Sequence, residues 1–269
     1  MRQALMTGRQ HAPAWLQEDI MSLATPSIDL YVARLASRSN LSDEELDALQ
    51  KLPTRAVRKK AGTSFTICGE KVSGVWIVSS GLVSGFQQLR SGLRQITALH
   101  IEGDMADQPS AKLGLATTGL EALTDVTLLH ISRTALQSVQ SSFPAVAGAM
   151  AVDAAVDAAI QIQWSTNAGR KCSRSRLAHF FCEMAARYEY IGQGVGFSFD
   201  LPMTQFHLAD AMAITPVHVN RVLMALRAEG IVEMRHRRVF VLDWEALIRL
   251  GEFSPFYLHH RKSHQALNA

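Results

Sequence analysis

The sequence predicts an α+β protein: an antiparallel, jelly-roll-like β-roll, a long apolar helix, and a small C-terminal helical unit closed by a hairpin. Three observations predict it. Short β-rich runs punctuated by glycine crowd residues 55–131. A helical period then runs unbroken for about 23 residues after Pro144. Two short helix signatures, each with its own cap, follow closely at 204–230. The chain has 269 residues, which suits two domains, and its 48% hydrophobic and 19% charged residues suffice for buried cores and exclude wholesale disorder.

Taken in order, residues 1–30 read as an N-terminal extension, mixed polar and small, with Pro13 and Pro26. Ser42 followed three residues later by Glu45 is a capping-box signature for a short helix ending before Pro53. Strands are expected at Val75–Val78, Leu82–Phe86, Gln95–Ile101 and Val126–Ile131, separated by Gly turns, so residues 31–140 form the roll, with Trp76 and Phe86 filling it. Ser141, Ser142 and Pro144 start the long helix, placed at 141–168 with its core at 144–166, about 34 Å long. That helix is apolar almost all round, through Val146, Met150, Val152, Val156, Ile160 and Ile162, and must be covered on most sides. A second copy of itself is the economical cover. Asp153 and Asp157, four apart, are expected at the wet edge of that seam. Another helix, carrying Leu177, Phe180 and Phe181, opens at Ser173 or Ser175 and ends near Tyr190. Gly192, Gly194 and Gly196 then read as a turn, not a phosphate loop.

Charge is unevenly divided. Residues 1–169 carry 14 Lys/Arg and 15 Asp/Glu, a balance of −1, whereas residues 170–269 carry 13 and 9, a balance of +4, with seven of the ten histidines. A basic C-terminal third suggests a polyanionic partner. Cys68, Cys172 and Cys182 form neither an even set nor a CxxC pair, which fits a reducing cytoplasm and no cysteine-bound metal. No secretion signal is read at the N-terminus, and the apolar stretch Ala145–Ile162 carries two acids, which argues against a membrane span.

Residues 204–230 carry the most specific pattern. Thr204 can cap one helix; Thr215 can cap the next, with Pro216 at its first position and Gly230 ending it. Two helices so closely joined have helix-turn-helix spacing. On a wheel of about 100° per residue, Val219, Val222, Leu223 and Leu226 form one stripe, and Val217, Asn220, Arg221 and Met224 face the other way, with His218 on the flank. Arg can grip a guanine edge, Asn an adenine, and Val217 a thymine methyl in a major groove. Thr204, Gln205 and Thr215 stand at helix N-termini, where backbone phosphates are favoured. Strands flank Arg235-His236-Arg237-Arg238, a hairpin with a cationic tip, and Asp243 caps a closing helix through Leu250. The winged helix-turn-helix is therefore placed at 169–250, with a C-terminal tail at 251–269.

Leu208-Ala209-Asp210, Val217-His218-Val219-Asn220-Arg221 and Leu226 to Ile231 resemble the C-terminal domain of Crp/Fnr-family transcription regulators. Gly74–Phe86, Arg94-Gln95-Ile96, Gly103-Asp104 and Ala122 to Val126 are similar to that family's cyclic-nucleotide-binding-like sensor roll, and helix 144–166 sits where the family keeps its dimerisation helix. The resemblance, over roughly residues 40–250, implies a homodimer that binds double-stranded DNA at a pseudo-palindromic operator, bends it and contacts RNA polymerase. Two departures stand out. Ala213 occupies a turn position where the family often has Gly. Where cyclic-AMP-binding members place an Arg, this sequence has Ala116 beside Thr117 and Thr118, and Lys112 is the only cation from Ile101 to Thr127. A phosphate would lack its strongest charge-assisted partner, so cyclic AMP is not expected and the small-molecule effector is unassigned.

No iron–sulfur cysteine cluster, haem-ligand spacing or nucleophile elbow is present, so no cofactor, no metal and no catalysis are expected. His100, Glu102 and Asp104 come nearest to a catalytic cluster, sharing one face of a strand by alternation. His179 with Cys182 reads as structural, and His259, His260 and His264 as a solvated tail. The rival to a DNA-binding regulator is a small-molecule sensor acting through protein contacts, with the C-terminal unit as an interaction module.

Overall fold

The computed structural model describes residues 26–194 and 198–259. Residues 1–25, Gly196 and the histidines at 260 and 264 lie outside them. The described chain opens with α1 (Asp29–Arg38) and α2 (Asp43–Gln50). In α2 the anticipated capping box is present, with Ser42 Oγ accepting from the Glu45 amide and Glu45 returning to the Ser42 backbone. The extension was placed through residue 30, but α1 begins at Asp29 and buries Tyr31, Val32 and Leu35. No sequence-local cap announces α1: its N-cap, Ile28, has no side-chain bond.

Eight strands follow: β1 (Thr54–Lys59), β2 (Ser64–Thr66), β3 (Gly74–Ser80), β4 (Val83–Gln88), β5 (Arg94–His100), β6 (Met105–Ala106), β7 (Gly119–Ala122) and β8 (Val126–Ser132), with α3 (Gln108–Leu113) between β6 and β7. They form two antiparallel four-stranded sheets, ordered β1-β8-β3-β6 and β2-β7-β4-β5. Between the sheets lie Val78, Val83, Leu120, Ala122, Val126 and Leu128. The β3–β4 turn depends on Gly81, whose φ is +90° and where a Cβ would lie 2.6 Å from the Asp125 carbonyl oxygen. Trp76 and Phe86, expected to fill the roll, are only half-buried. Trp76 packs on Phe65 and His130, with ring centroids 5.6 and 4.7 Å apart, and Phe86 lies under the Arg94 guanidinium.

From the roll the chain enters α4 (Arg133–Ser142), capped by Ser132, and then α5 (Pro144–Arg170). Ser141 and Ser142 therefore end one helix instead of starting the long one, and Pro144 alone sits at its first turn. Next come α6 (Ser173–Tyr190), β9 (Ser198–Asp200), α7 (Gln205–Met212), α8 (Pro216–Ala228), β10 (Val232–Arg235), β11 (Arg238–Val241) and α9 (Trp244–Gly251). β9, which no strand signal announced, adds to β11 in a three-stranded antiparallel sheet. A 3-10 helix (Pro255–Leu258) follows. The tail placed from residue 251 is thus not all solvated: Phe253, Tyr257 and Leu258 are buried.

Two further cores join the roll to its surroundings. Val75, Ile77, Leu129 and Ile131 on the outside of the first sheet pack on α1, α2, α4 and the start of α5. Leu82, Ile96, Leu99 and Ile101 pack with Val156, Ile160, Leu177 and Phe181 in a core continuous with the C-terminal helices.

The largest departure from the sequence reading concerns Asp153 and Asp157. Asp153, placed at a wet edge, is fully buried. It accepts from Arg34 Nε at 2.7 Å and also pairs with Arg38, and Arg34 reaches Asp157 at 3.1 Å. The physical reason is matched spacing: Arg34 and Arg38 stand four apart on α1, as the two acids do on α5, so the helices zip charge to charge. By length and composition α5 is apolar enough to cross a membrane, but its buried face carries this ion-paired acid.

Candidate nucleic-acid interface

The helix pair at 204–230 is built by local chemistry. Thr204 Oγ1 accepts from the His207 amide at 3.1 Å, and His207 Nδ1 accepts from the Thr204 amide at 3.3 Å. Thr215 Oγ1 accepts from the His218 amide at 3.2 Å, with Pro216 at the first position of α8. Both caps stand where the sequence placed them. The turn between the helices takes Ala213 into the left-handed region, at φ +53°, as the departure at that position implied. For an L-residue this conformation costs about 1–2 kcal/mol.

One face of α8 is buried through Val219, Val222 and Leu226, and the opposite face is open. Val217 is 72% and Met224 59% exposed. Asn220 and Arg221 are exposed between them, and their side chains make no hydrogen bond or ion pair among the described residues. His218 is half-buried, its Nε2 2.7 Å from Ser173 Oγ at the start of α6. Gln205 is exposed at the first turn of α7, beside the half-buried Thr204.

The cationic hairpin forms as β10 and β11, joined by His236 and Arg237 at φ +50° and +60°. Two consecutive left-handed residues make the tight turn that matches strand twist, here without glycine. Its charges are not equally free. Arg235 lies over the Phe240 ring, and Arg238 reaches Asp200 Oδ1 and Ser198 Oγ, both at 3.3 Å. The Arg237 side chain is exposed.

A second candidate region is a cavity of about 330 Å³ between the roll and α5, lined by Thr97, His100, Asp107, Thr117, Asp157 and Arg187 among others. Lys112 turns away to Gln140, 2.8 Å from it, and Ala116 is buried. Arg187, the one lining guanidinium, is already committed: its Nη2 donates to Asp104 at 2.7 Å and to the Leu99 carbonyl at 2.8 Å. Burial pushes the Asp104 carboxyl up, but Arg34 and Arg187 outweigh it and hold it below the usual carboxylate range. Burial raises Asp157 to about 7 against the pull of Arg34. Burial likewise holds His100 near 4, a neutral ring. His100 and Asp104 do not share a strand face with Glu102, because the chain turns at Gly103, with φ +84°, and Asp104 Oδ2 accepts from the Ile101 amide. Among the described residues no group of three His, Cys, Asp or Glu is placed to hold a metal. His179 is a packing residue, bonded to Tyr257 and the Gly251 carbonyl, and Cys182 is buried with its thiol pushed up to about 12.

Sequence reasoning missed Arg34, Arg38 and Arg187. The four-residue spacing shared by Arg34/Arg38 and Asp153/Asp157 was the available signal for the first two; nothing local marks Arg187.

A roll, a long helix and a capped helix pair with an open polar face and a cationic wing are the parts expected of a DNA-binding transcription regulator. Residues 175–250 match the Crp-like helix-turn-helix domain model. The chain is 24% identical over 225 residues to the transcriptional activator protein FnrL of Cereibacter sphaeroides, covering 82% of this chain and 89% of that one. It is 26% identical over 220 residues to the nitrogen fixation regulation protein FixK of Rhizobium meliloti, covering 81% and 98%. The fold superposes on FixK2 from Bradyrhizobium japonicum with a TM-score of 0.69 at 24% identity, covering 76% of this chain and all of that one. A CRP-family regulator from Thermus thermophilus gives 0.55 at 21%, covering 74% and 97%. Residues 175–250 thus carry a Crp-like helix-turn-helix domain, and the chain is similar along most of its length to Crp/Fnr-family transcription regulators.

Proposed function

We propose that the protein acts in the cytoplasm as a homodimer that inserts helix 216–228 of each copy into successive major grooves of a pseudo-palindromic operator, about one helical turn (34–36 Å) apart. The observation that carries this reading is the open face of α8: Val217, Asn220, Arg221 and Met224 are exposed together while the opposite face is core. Thr204, Gln205, Thr215, Pro216 and His218 would serve phosphates and groove edges from the helix N-termini. Arg237 would approach the backbone, with Arg235 and Arg238 beside it. Pairing through α5 is supported by a stripe of exposed small and apolar residues, Gly148, Ala151, Ala155, Ala158 and Ile162, opposite the face buried on the roll. The domain boundaries that go with this reading are a roll from about 29 to 142, the long helix, and a DNA-binding unit from 173 to 258. RNA polymerase contact follows by family resemblance.

The cavity does not suit cyclic AMP. Asp107 and Asp157 line it, and its guanidinium is already paired. A cyclic phosphate would meet two acidic side chains and no free cation among the described lining residues.

Selection from random-sequence duplex DNA, followed by gel shift across a salt series, tests the proposal. The expected result is a two-fold-symmetric consensus bound by a dimer, with affinity falling steeply as salt rises. Absence of a sequence-selective, salt-sensitive band would instead favour the protein-interaction reading.

A further inference from the structure

The C-terminal segment beyond α9 lies outside the family match, which stops at residue 250, yet it buries Phe253, Tyr257 and Leu258. Its polar atoms enter a closed circuit. Tyr257 Oη donates to Glu183 at 2.9 Å, and Glu183 pairs with Arg187 one turn along α6. Arg187 bridges to Asp104 of the roll at 2.7 Å, and Asp104 pairs with Arg34 of α1. Arg34 and Arg38 share Asp153 of α5, and Arg38 Nη2 closes the circuit by donating to the Leu258 carbonyl at 3.1 Å. The circuit thus passes through α1, the roll, α5, α6 and the C-terminal 3-10 helix. Each charged member has a side chain 8% exposed or less. A second contact ties the same segment to α6, His179 Nε2 lying 3.1 Å from Tyr257 Oη, and next to it Lys171 Nζ of the α5–α6 joint donates to the Gly251 carbonyl at the end of α9.

We propose that residues Phe253–Leu258 are a clasp that fixes the DNA-binding unit against the long helix and the roll, and so sets the half-site spacing the dimer accepts. The reasoning is geometric. The chain passes from α5 to α6 through only Lys171 and Cys172, and the apolar core that α6 shares with the roll and α5 is non-directional, so it holds the unit close without fixing its angle as sharply as directional bonds do. The clasp crosses that joint from the far end of the unit and anchors it to α1 and α5 through buried, directional bonds. A buried charged circuit tolerates few arrangements, because any displaced member is left unpaired out of water. Two units held rigidly present their recognition helices at one separation; two loose units reach several separations, at an entropic cost for each. The spacing consequence rests on the dimeric operator-binding reading. The clasp itself does not.

Two variants test it: truncation after Ser254, which keeps Phe253 in the core, and Tyr257→Phe, which keeps ring volume and removes the bonds to Glu183 and His179. In the absence of DNA, the distance distribution is measured between labels on exposed Cys68 of the roll and on Glu245→Cys of α9, in a Cys172→Ser background. A narrow distribution for the intact chain and a broad one for the truncation, with Tyr257→Phe between, is expected. On duplexes carrying the selected consensus, the truncation should bind about tenfold more weakly, yet lose far less than the intact protein when one base pair is inserted at the centre. An unchanged distribution in a truncated protein that retains its thermal transition would overturn the clasp. A broadened distribution with unaltered spacer discrimination would overturn its role in spacing. Failure to select any two-fold site would defeat the operator reading while leaving the label experiment decisive for the clasp.

Discussion

The two ends of this molecule use charge in opposite ways. In the helix pair and wing, the side chains of Asn220, Arg221 and Arg237 are exposed and unpaired among the described residues, set in place by local caps and turns. Around α1 and α5, Arg34, Arg38, Asp104, Asp153 and Arg187 are buried and paired to one another across long stretches of chain. The first arrangement leaves donors ready for a partner. The second makes them part of the framework, so the same residue types stand open at one end and build architecture at the other.

That contrast breaks most sharply at Asp153. Asp153→Ala strands Arg34 and Arg38 out of water, and removing one member of a buried ion pair typically costs about 3–5 kcal/mol. Chemical denaturation should show a loss of that order; a change under 1 kcal/mol would mean the circuit is solvated and the contrast false.

Arg221→Ala should leave unfolding untouched but cost about 1–3 kcal/mol of specific DNA affinity and relax the preference at one base pair per half-site. Arg237→Ala should weaken all sequences alike and flatten the salt dependence, by about one unit of slope. Discrimination surviving Arg221→Ala would move the reading face elsewhere.

A third comparison uses pH. His100 and His179 are held near 4, well under the ordinary histidine value of 6.5, by burial first. Below 6.5 the unfolded chain binds protons that the folded rings refuse, so their contribution to stability is complete above 6.5 and is lost as pH falls toward 4. Each ring removes up to about 1.4 kcal/mol per pH unit in that window. His100→Gln should shallow the acid limb of a stability–pH curve by one histidine's share. An identical limb would place His100 in contact with water.

The smallest effect concerns the turn. Ala213→Gly relieves a left-handed alanine and should raise stability by about 1 kcal/mol, with DNA affinity unchanged. A destabilisation would show that the Ala213 methyl packs usefully.

The C-terminal helix pair was legible because its determinants are local. Thr204 and Thr215 cap within three residues, Pro216 presets its own φ, and the apolar stripe on α8 repeats within a single helix. The strands β3, β4, β5 and β8 were legible for the same reason, since glycine turns and alternating burial are short-range signals. The sign of Asp153 was not. Two acids four apart on an apolar helix read as a solvent edge unless the arginines 115 and 119 residues earlier are known to lie opposite. β9 was missed because three residues paired to the edge of a wing carry no period, and the burial of Phe253, Tyr257 and Leu258 because their partners are on α1, α5 and α6.

The bond from Arg38 to the Leu258 carbonyl spans 220 positions of chain, which has a kinetic consequence. Loop-closure entropy makes such a contact unfavourable until both of its neighbourhoods are assembled. During refolding the seam between the two ends is therefore expected to be the step left for last.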